Sequence, residues 1–183
     1  IHQLPALLNG CRSRHFNCYV LAALQGVGGN VGVAHPIGAY IYKVYIISFA
    51  DFFPEFLISI IACRFFFAGI EKLQVGNRLG DVGHAIDALV VANGFSTVKR
   101  YIGHGVGHEL HEAPDVPNYG TPGRGVRLCN GMTIAIEPMV NIGTGDVKEM
   151  SDGWTVKTAD GSLSAHYENT VVITDGEPEL LTL

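Results

Sequence analysis

A chain of 183 residues has single-domain length and can bury a sizeable core. Its 48% apolar and 16% charged residues exclude a disordered chain, and its 23 glycines keep no G-X-Y period. The net charge of −5 leaves no overall basic field for nucleic acid, so no DNA partner is expected.

The averages conceal a division. Residues 1–67 carry Arg12, Arg14, Lys43 and Arg64 against Asp51 and Glu55, a net of +2, whereas residues 68–183 sum to −7. Eight of the nine phenylalanines and three of the four cysteines fall in the first part. The cysteines are irregularly spaced and form no C-x-x-C, which reads as thiols in a reducing compartment rather than a disulfide framework.

Within residues 1–67, Tyr19–Val33 holds four glycines, which weaken helix and strand alike. Tyr40–Phe49 is β-prone, with Tyr40, Tyr42, Val44 and Ile46 on one parity, and Phe56–Cys63 is a short apolar run. A membrane span needs about 20 apolar residues in a row. Lys43, Asp51, Pro54, Glu55 and Arg64 interrupt every such window, so no membrane anchor is expected. Scarce acids, clustered Phe and Cys and scattered turn residues resemble an out-of-frame translation. Residues 1–67 are therefore taken as an unmatched apolar segment, either a shifted frame or a divergent half-domain.

Regular patterning is expected from about Ala68. Val82, Ala85, Ile86, Leu89 and Val90 follow helical spacing, which predicts a helix over Asp81–Asn93 with Asp81 as N-cap and Asn93-Gly94 as the stop. A strand over roughly Thr97–Ile102 precedes Gly103-His104-Gly105-Val106-Gly107, which is too glycine-rich for a helix interior. Pro114, Pro117 and Gly120 predict a loop. Met132–Glu137 alternates, with Met132, Ile134 and Ile136 on one face, and Pro138 ends or bends that strand. Asp152-Gly153 and Asp160-Gly161 are turn signals around Trp154–Thr158. Tyr167–Ile173 and Glu179–Leu183 are the last expected strands. The pattern is α+β, a helix packed on an antiparallel sheet.

Four residues stand out chemically. His104 lies between glycines, which let other backbone or a ligand approach; it is also an ordinary turn histidine by pattern. Glu137 ends an apolar strand, where a carboxylate needs a partner or a metal; a solvated strand face fits equally. Glu168 has Thr170 and Val172 as same-face neighbours. One His and two Glu make an N/O donor set suited to Mn, Fe(II), Co or Zn. His111 enters a loop and can donate a proton or hydrogen bond to a carbonyl, or simply face solvent. His108-Glu109-Leu110-His111 is one residue short of the helical H-E-x-x-H zinc motif.

Gly103–Gly107 (GHGVG), Leu110–Pro114 (LHEAP), Val116–Gly120 (VPNYG), Ile136–Asn141 (IEPMVN), Asp152–Thr158 (DGWTVKT) and Ser164–Thr170 (SAHYENT) occur in this order. Together with Ala68–Asp81 (AGIEKLQVGNRLGD), they resemble the C-terminal half of a type I methionine aminopeptidase over residues 68–183. The resemblance implies the pita-bread fold, of which residues 68–183 would form the C-terminal half, with the N-terminal half incomplete or aberrant.

It further implies a cytoplasmic, monomeric metalloaminopeptidase that removes the initiator methionine from nascent peptides. His104, Glu137 and Glu168 match metal ligands of the family. His111 matches the histidine that contacts the scissile peptide. Leu110 and Trp154 match the methionine side-chain pocket, although the family often has Phe at the former position. The same resemblance implies two Asp ligands upstream. Before Ala68 the sole Asp is Asp51, in FADFFPE, which resembles neither Asp motif, and His35-Pro36-Ile37-Gly38 does not match the family's HGIP-like segment. At most one weakly bound divalent ion and impaired turnover are expected. The other readings are a non-catalytic pita-bread binding module and the product of a damaged gene.

Overall fold

The computed structural model describes residues 53–182. The expectations for Tyr19–Val33, His35–Gly38, Tyr40–Phe49 and Asp51 lie outside the described residues.

Two helices come first, α1 (Phe53–Ile70) and α2 (Leu79–Ala92). The division expected between Phe67 and Ala68 thus falls inside α1. On α1, Ile61, Ala62, Phe65 and Phe66 are buried, spaced as one helical face. Phe65 meets Phe95 edge-on at 6.0 Å between ring centroids, and Phe66 meets Tyr167 at 5.2 Å. Periodicity was invisible here because the helix is apolar nearly all round, so no polar stripe marks its phase.

On α2, Val82, Ile86 and Val90 recur every four residues and are fully buried. The helix starts two residues before Asp81, with Arg78 as N-cap. Asp81 is therefore not the cap but the third helical residue. Its carboxylate accepts the Arg78 N–H at 2.8 Å and the Gly123 N–H at 2.7 Å, which holds its pKa below the ordinary value. At the other end, Gly94 takes φ +79°. The Gly94 N–H then bonds the Val91 carbonyl and the Phe95 N–H bonds that of Val90, closing the helix as Asn93-Gly94 predicted.

Ten strands follow: β1 (Ser96–Thr97), β2 (Gly103–Gly105), β3 (Glu112–Val116), β4 (Thr133–Ile136), β5 (Met139–Asn141), β6 (Val147–Glu149), β7 (Val156–Thr158), β8 (Ser164–His166), β9 (Asn169–Val172) and β10 (Glu179–Leu180). They form an antiparallel five-stranded sheet β10-β9-β4-β2-β3, a three-stranded sheet β1-β5-β8 and the hairpin β6-β7. The α+β expectation is met.

Several elements differ from the sequence reading. The strand expected over Thr97–Ile102 shrinks to β1, because the chain turns away where Arg100 and Tyr101 both bond the Glu149 carboxylate, at 2.7 and 2.8 Å. Pro114 lies within β3 rather than in a loop. β3 is an edge strand, where a residue without an N–H is tolerated. The expected strand Tyr167–Ile173 shortens to β9, which begins only at Asn169, and β8, which ends at His166, is a separate strand that the pattern did not predict. Trp154 precedes β7 in the Asp152–Gly153 turn, whose carboxylate accepts N–H bonds from Trp154 and Thr155.

The break between β8 and β9 is architectural. Ile136 pairs with Asn169, the last pair of β4 with β9. Met139 pairs with His166, the first pair of β5 with β8. Two antiparallel strands therefore leave one sheet and enter the next side by side. The crossing residues are Glu137-Pro138 on one strand and Tyr167-Glu168 on the other.

Candidate metal centre

Glu137 and Glu168 face the same corner because they occupy these adjacent crossings. Glu137 is held from behind by Asn118, whose buried side-chain amide donates to the Glu137 carbonyl at 3.0 Å. The third wall is β2. Its central His104 pairs with Ala135 of β4, which aligns the imidazole with the exit of that strand. The flanking glycines are required by packing: a Cβ on Gly103 would strike the Ala135 carbonyl oxygen, and one on Gly105 would strike that of Ala113.

One donor atom each from His104, Glu137 and Glu168 lies within 4.8 Å of the others. Two ligands of one ion, each at about 2.1 Å, stand at most roughly 4.2 Å apart, so modest side-chain adjustment closes this set on a cation. His104 Nε2 is 3.7 Å from Glu137 Oε1, and both side chains are nearly buried, 13% and 12% exposed. His104 Nδ1 lies 2.9 Å from the Gly105 carbonyl oxygen. A carbonyl only accepts, so Nδ1 carries the proton and Nε2 presents its lone pair to the corner. Among the described residues no Lys or Arg pairs with Glu137 or Glu168. An N/O donor set with a free imidazole lone pair and two carboxylates fits a divalent first-row metal.

His111 sits at the end of the β2–β3 loop, exposed, with its ring centroid 4.1 Å from that of His104. Leu110 and Trp154 are on exposed turns, 70% and 89% accessible.

His166, within the SAHYENT segment, joins the site in the structure without having been singled out by the sequence pattern. Its Nε2 lies 3.2 Å from Glu137 Oε2 and 3.8 Å from Glu168 Oε2. The hydrogen bond to Glu137, aided by the charges of both carboxylates, holds its pKa above the ordinary value against the opposing cost of burial. One signal was available: residues i and i+2 of an extended segment share a face, which pairs His166 with Glu168. Asn118 was also missed, inside the VPNYG segment. His166 additionally walls a cleft of about 290 Å³, lined by Val98, Tyr101, Met139, Val156 and Thr158.

The model of metallopeptidase family M24 matches residues 59–175. The chain belongs to metallopeptidase family M24. A methionine aminopeptidase from Clostridium acetobutylicum is 58% identical over 118 residues, covering 64% of this chain and 47% of that protein. The crystal structure of a methionine aminopeptidase from Thermotoga maritima superposes with a TM-score of 0.67 at 48% identity, over 68% of this chain and 50% of that one. A prolidase from Pyrococcus horikoshii, 23% identical with a TM-score of 0.50 over 69% and 31% of the two chains, shares the fold. The chain spans about half the length of the curated relatives it matches. The M24 match and the antiparallel sheets establish the pita-bread fold. Among the described residues no helix is long and apolar enough to cross a membrane.

Proposed function

We propose that this chain carries the metal-binding half of a methionine aminopeptidase, acting on the N-terminal methionine of nascent peptides in the cytoplasm as a monomer. The observation that supports it is the convergence of His104, Glu137 and Glu168 in an M24 chain. Their donors would hold one divalent ion, Mn, Fe(II), Co or Zn. Such an ion acts as a Lewis acid on a peptide carbonyl and makes water a stronger acid.

The protein groups do the rest. Glu137 accepts a proton from the attacking water and returns it to the leaving amine, the role best suited to the more buried carboxylate. His111, beside His104, donates a hydrogen bond to the scissile carbonyl oxygen as it gains charge. Leu110 and Trp154 offer apolar surface to the methionine side chain.

Resemblance to the family implies five ligands, of which three stand on the described residues, and the sequence before Ala68 carries neither Asp motif. The expected outcome is one weakly held ion and slow turnover. Calorimetric titration with Mn²⁺ should show no more than one weak site. Methionine release from Met-Gly-Met should be far slower than by an intact homologue and lost in His104→Ala. Two tight ions per chain, or turnover equal to an intact homologue, would overturn the impaired reading. No ion at all would overturn the site.

A further inference from the structure

Glu137 has two oxygens with two different neighbours. Oε1 faces His104 at 3.7 Å, whereas Oε2 faces His166 at 3.2 Å. The same His166 nitrogen is 3.8 Å from Glu168 Oε2. Both neighbours of Nε2 are acceptors, so Nε2 carries a proton and donates. The imidazole is anchored by its backbone, because His166 pairs with Met139 at the first rung of the three-stranded sheet. Glu137 lies two residues before Met139, and Glu168 lies two residues after His166. A residue fixed in one sheet thus reaches both carboxylates where they cross between sheets. The donor atoms that group within 4.8 Å of one another come from His104, Glu137 and Glu168, and His166 is not in that group.

We infer that His166 is a positioning residue for the metal centre: by donating to Glu137 Oε2 and standing beside Glu168 Oε2, it holds the two carboxylates together and leaves Glu137 Oε1 to pair with His104 on the ion. This inference rests on the metal-binding reading proposed above. Without the donor, the carboxylates repel each other and Glu137 is free to rotate out of register. Partners of this kind typically contribute 10- to 100-fold to metal affinity.

The test is calorimetric titration of the full chain and its variants with Co²⁺, together with the visible spectrum of the Co²⁺ forms. His166→Ala should weaken affinity about 10- to 100-fold. His166→Gln, whose amide N–H replaces the Nε2 donor, should recover affinity to within roughly threefold and keep the wild-type Co²⁺ bands. His84→Ala, on the exposed face of α2, should change nothing. Far-UV circular dichroism of each variant reports folding. Unchanged affinity in folded His166→Ala would overturn the positioning role. Loss in both variants, with a shifted Co²⁺ spectrum in His166→Gln, would overturn it in favour of direct ligation. Absence of Co²⁺ binding by the wild-type chain overturns the metal-centre reading, and the positioning role with it.

Discussion

Phe66 tests whether α1 is an integral part of the half-fold. Its side chain is fully buried, and its ring lies 5.2 Å from that of Tyr167 and 5.3 Å from that of Phe67. Phe66→Ala removes a whole aromatic ring from a packed site. A change of this kind costs about 3–5 kcal/mol, transfer and cavity together. Domains are stable by only about 5–15 kcal/mol, so the loss is a large part of the total. With a urea dependence of about 2 kcal/mol per molar, the unfolding midpoint should fall by roughly 1.5–2.5 M. Val91→Ala, at a position 61% exposed on α2, should stay within about 0.5 kcal/mol of wild type. Urea unfolding followed by circular dichroism measures both. Tyr167 separates His166 from Glu168, so metal affinity should fall as well. A loss below about 1 kcal/mol would refute the packing of α1, because no well-buried phenylalanine is that dispensable.

Gly103→Ala should destabilise by about 1–3 kcal/mol or prevent folding, since the new methyl meets the Ala135 carbonyl oxygen; thermal unfolding reads this out. In the metal-free chain, urea midpoints against pH should fall on both flanks. Asp160 is held at about 2, below its ordinary 3.8, by N–H bonds from Ser162 and Thr144, so its contribution is present above pH 3.8 and lost as pH falls through about 2. His166 is raised above 6.5, so its contribution is full below pH 6.5 and lost as pH rises through the folded value. Asp160→Asn should blunt the acid flank.

What was legible depended on length and locality. The periodicity of α2 spans four turns, so its core face and its Gly94 stop were readable, while the start was misplaced because a carboxylate at the third helical position looks like a cap. Strands of two or three residues such as β8 carry too little alternation to be seen, and the crossing residues Tyr167-Glu168 were counted into the strand after them because they continue its apolar and polar alternation. The apolar α1 hid its phase. For the site, GHGVG, IEPMVN and SAHYENT pointed to His104, Glu137 and Glu168 by resemblance, but their meeting depends on β4 pairing with β9, which no local pattern encodes. The i, i+2 spacing ties His166 to Glu168, but its stronger partner Glu137 is reached only once β5 and β8 lie side by side.

The adjacent crossings make the centre a crease. Were the angle between the five-stranded and three-stranded sheets to change, the spacing of Glu137 and Glu168 would change with it, as the gap between two pages at the spine follows how far the book is open. Ligation across that crease would work as a rivet, fixing the dihedral of the whole half-fold. The coupling runs in both directions. An angle biased by packing elsewhere would tune affinity, and occupancy at 100 times Kd would stabilise the folded state by about 2.7 kcal/mol.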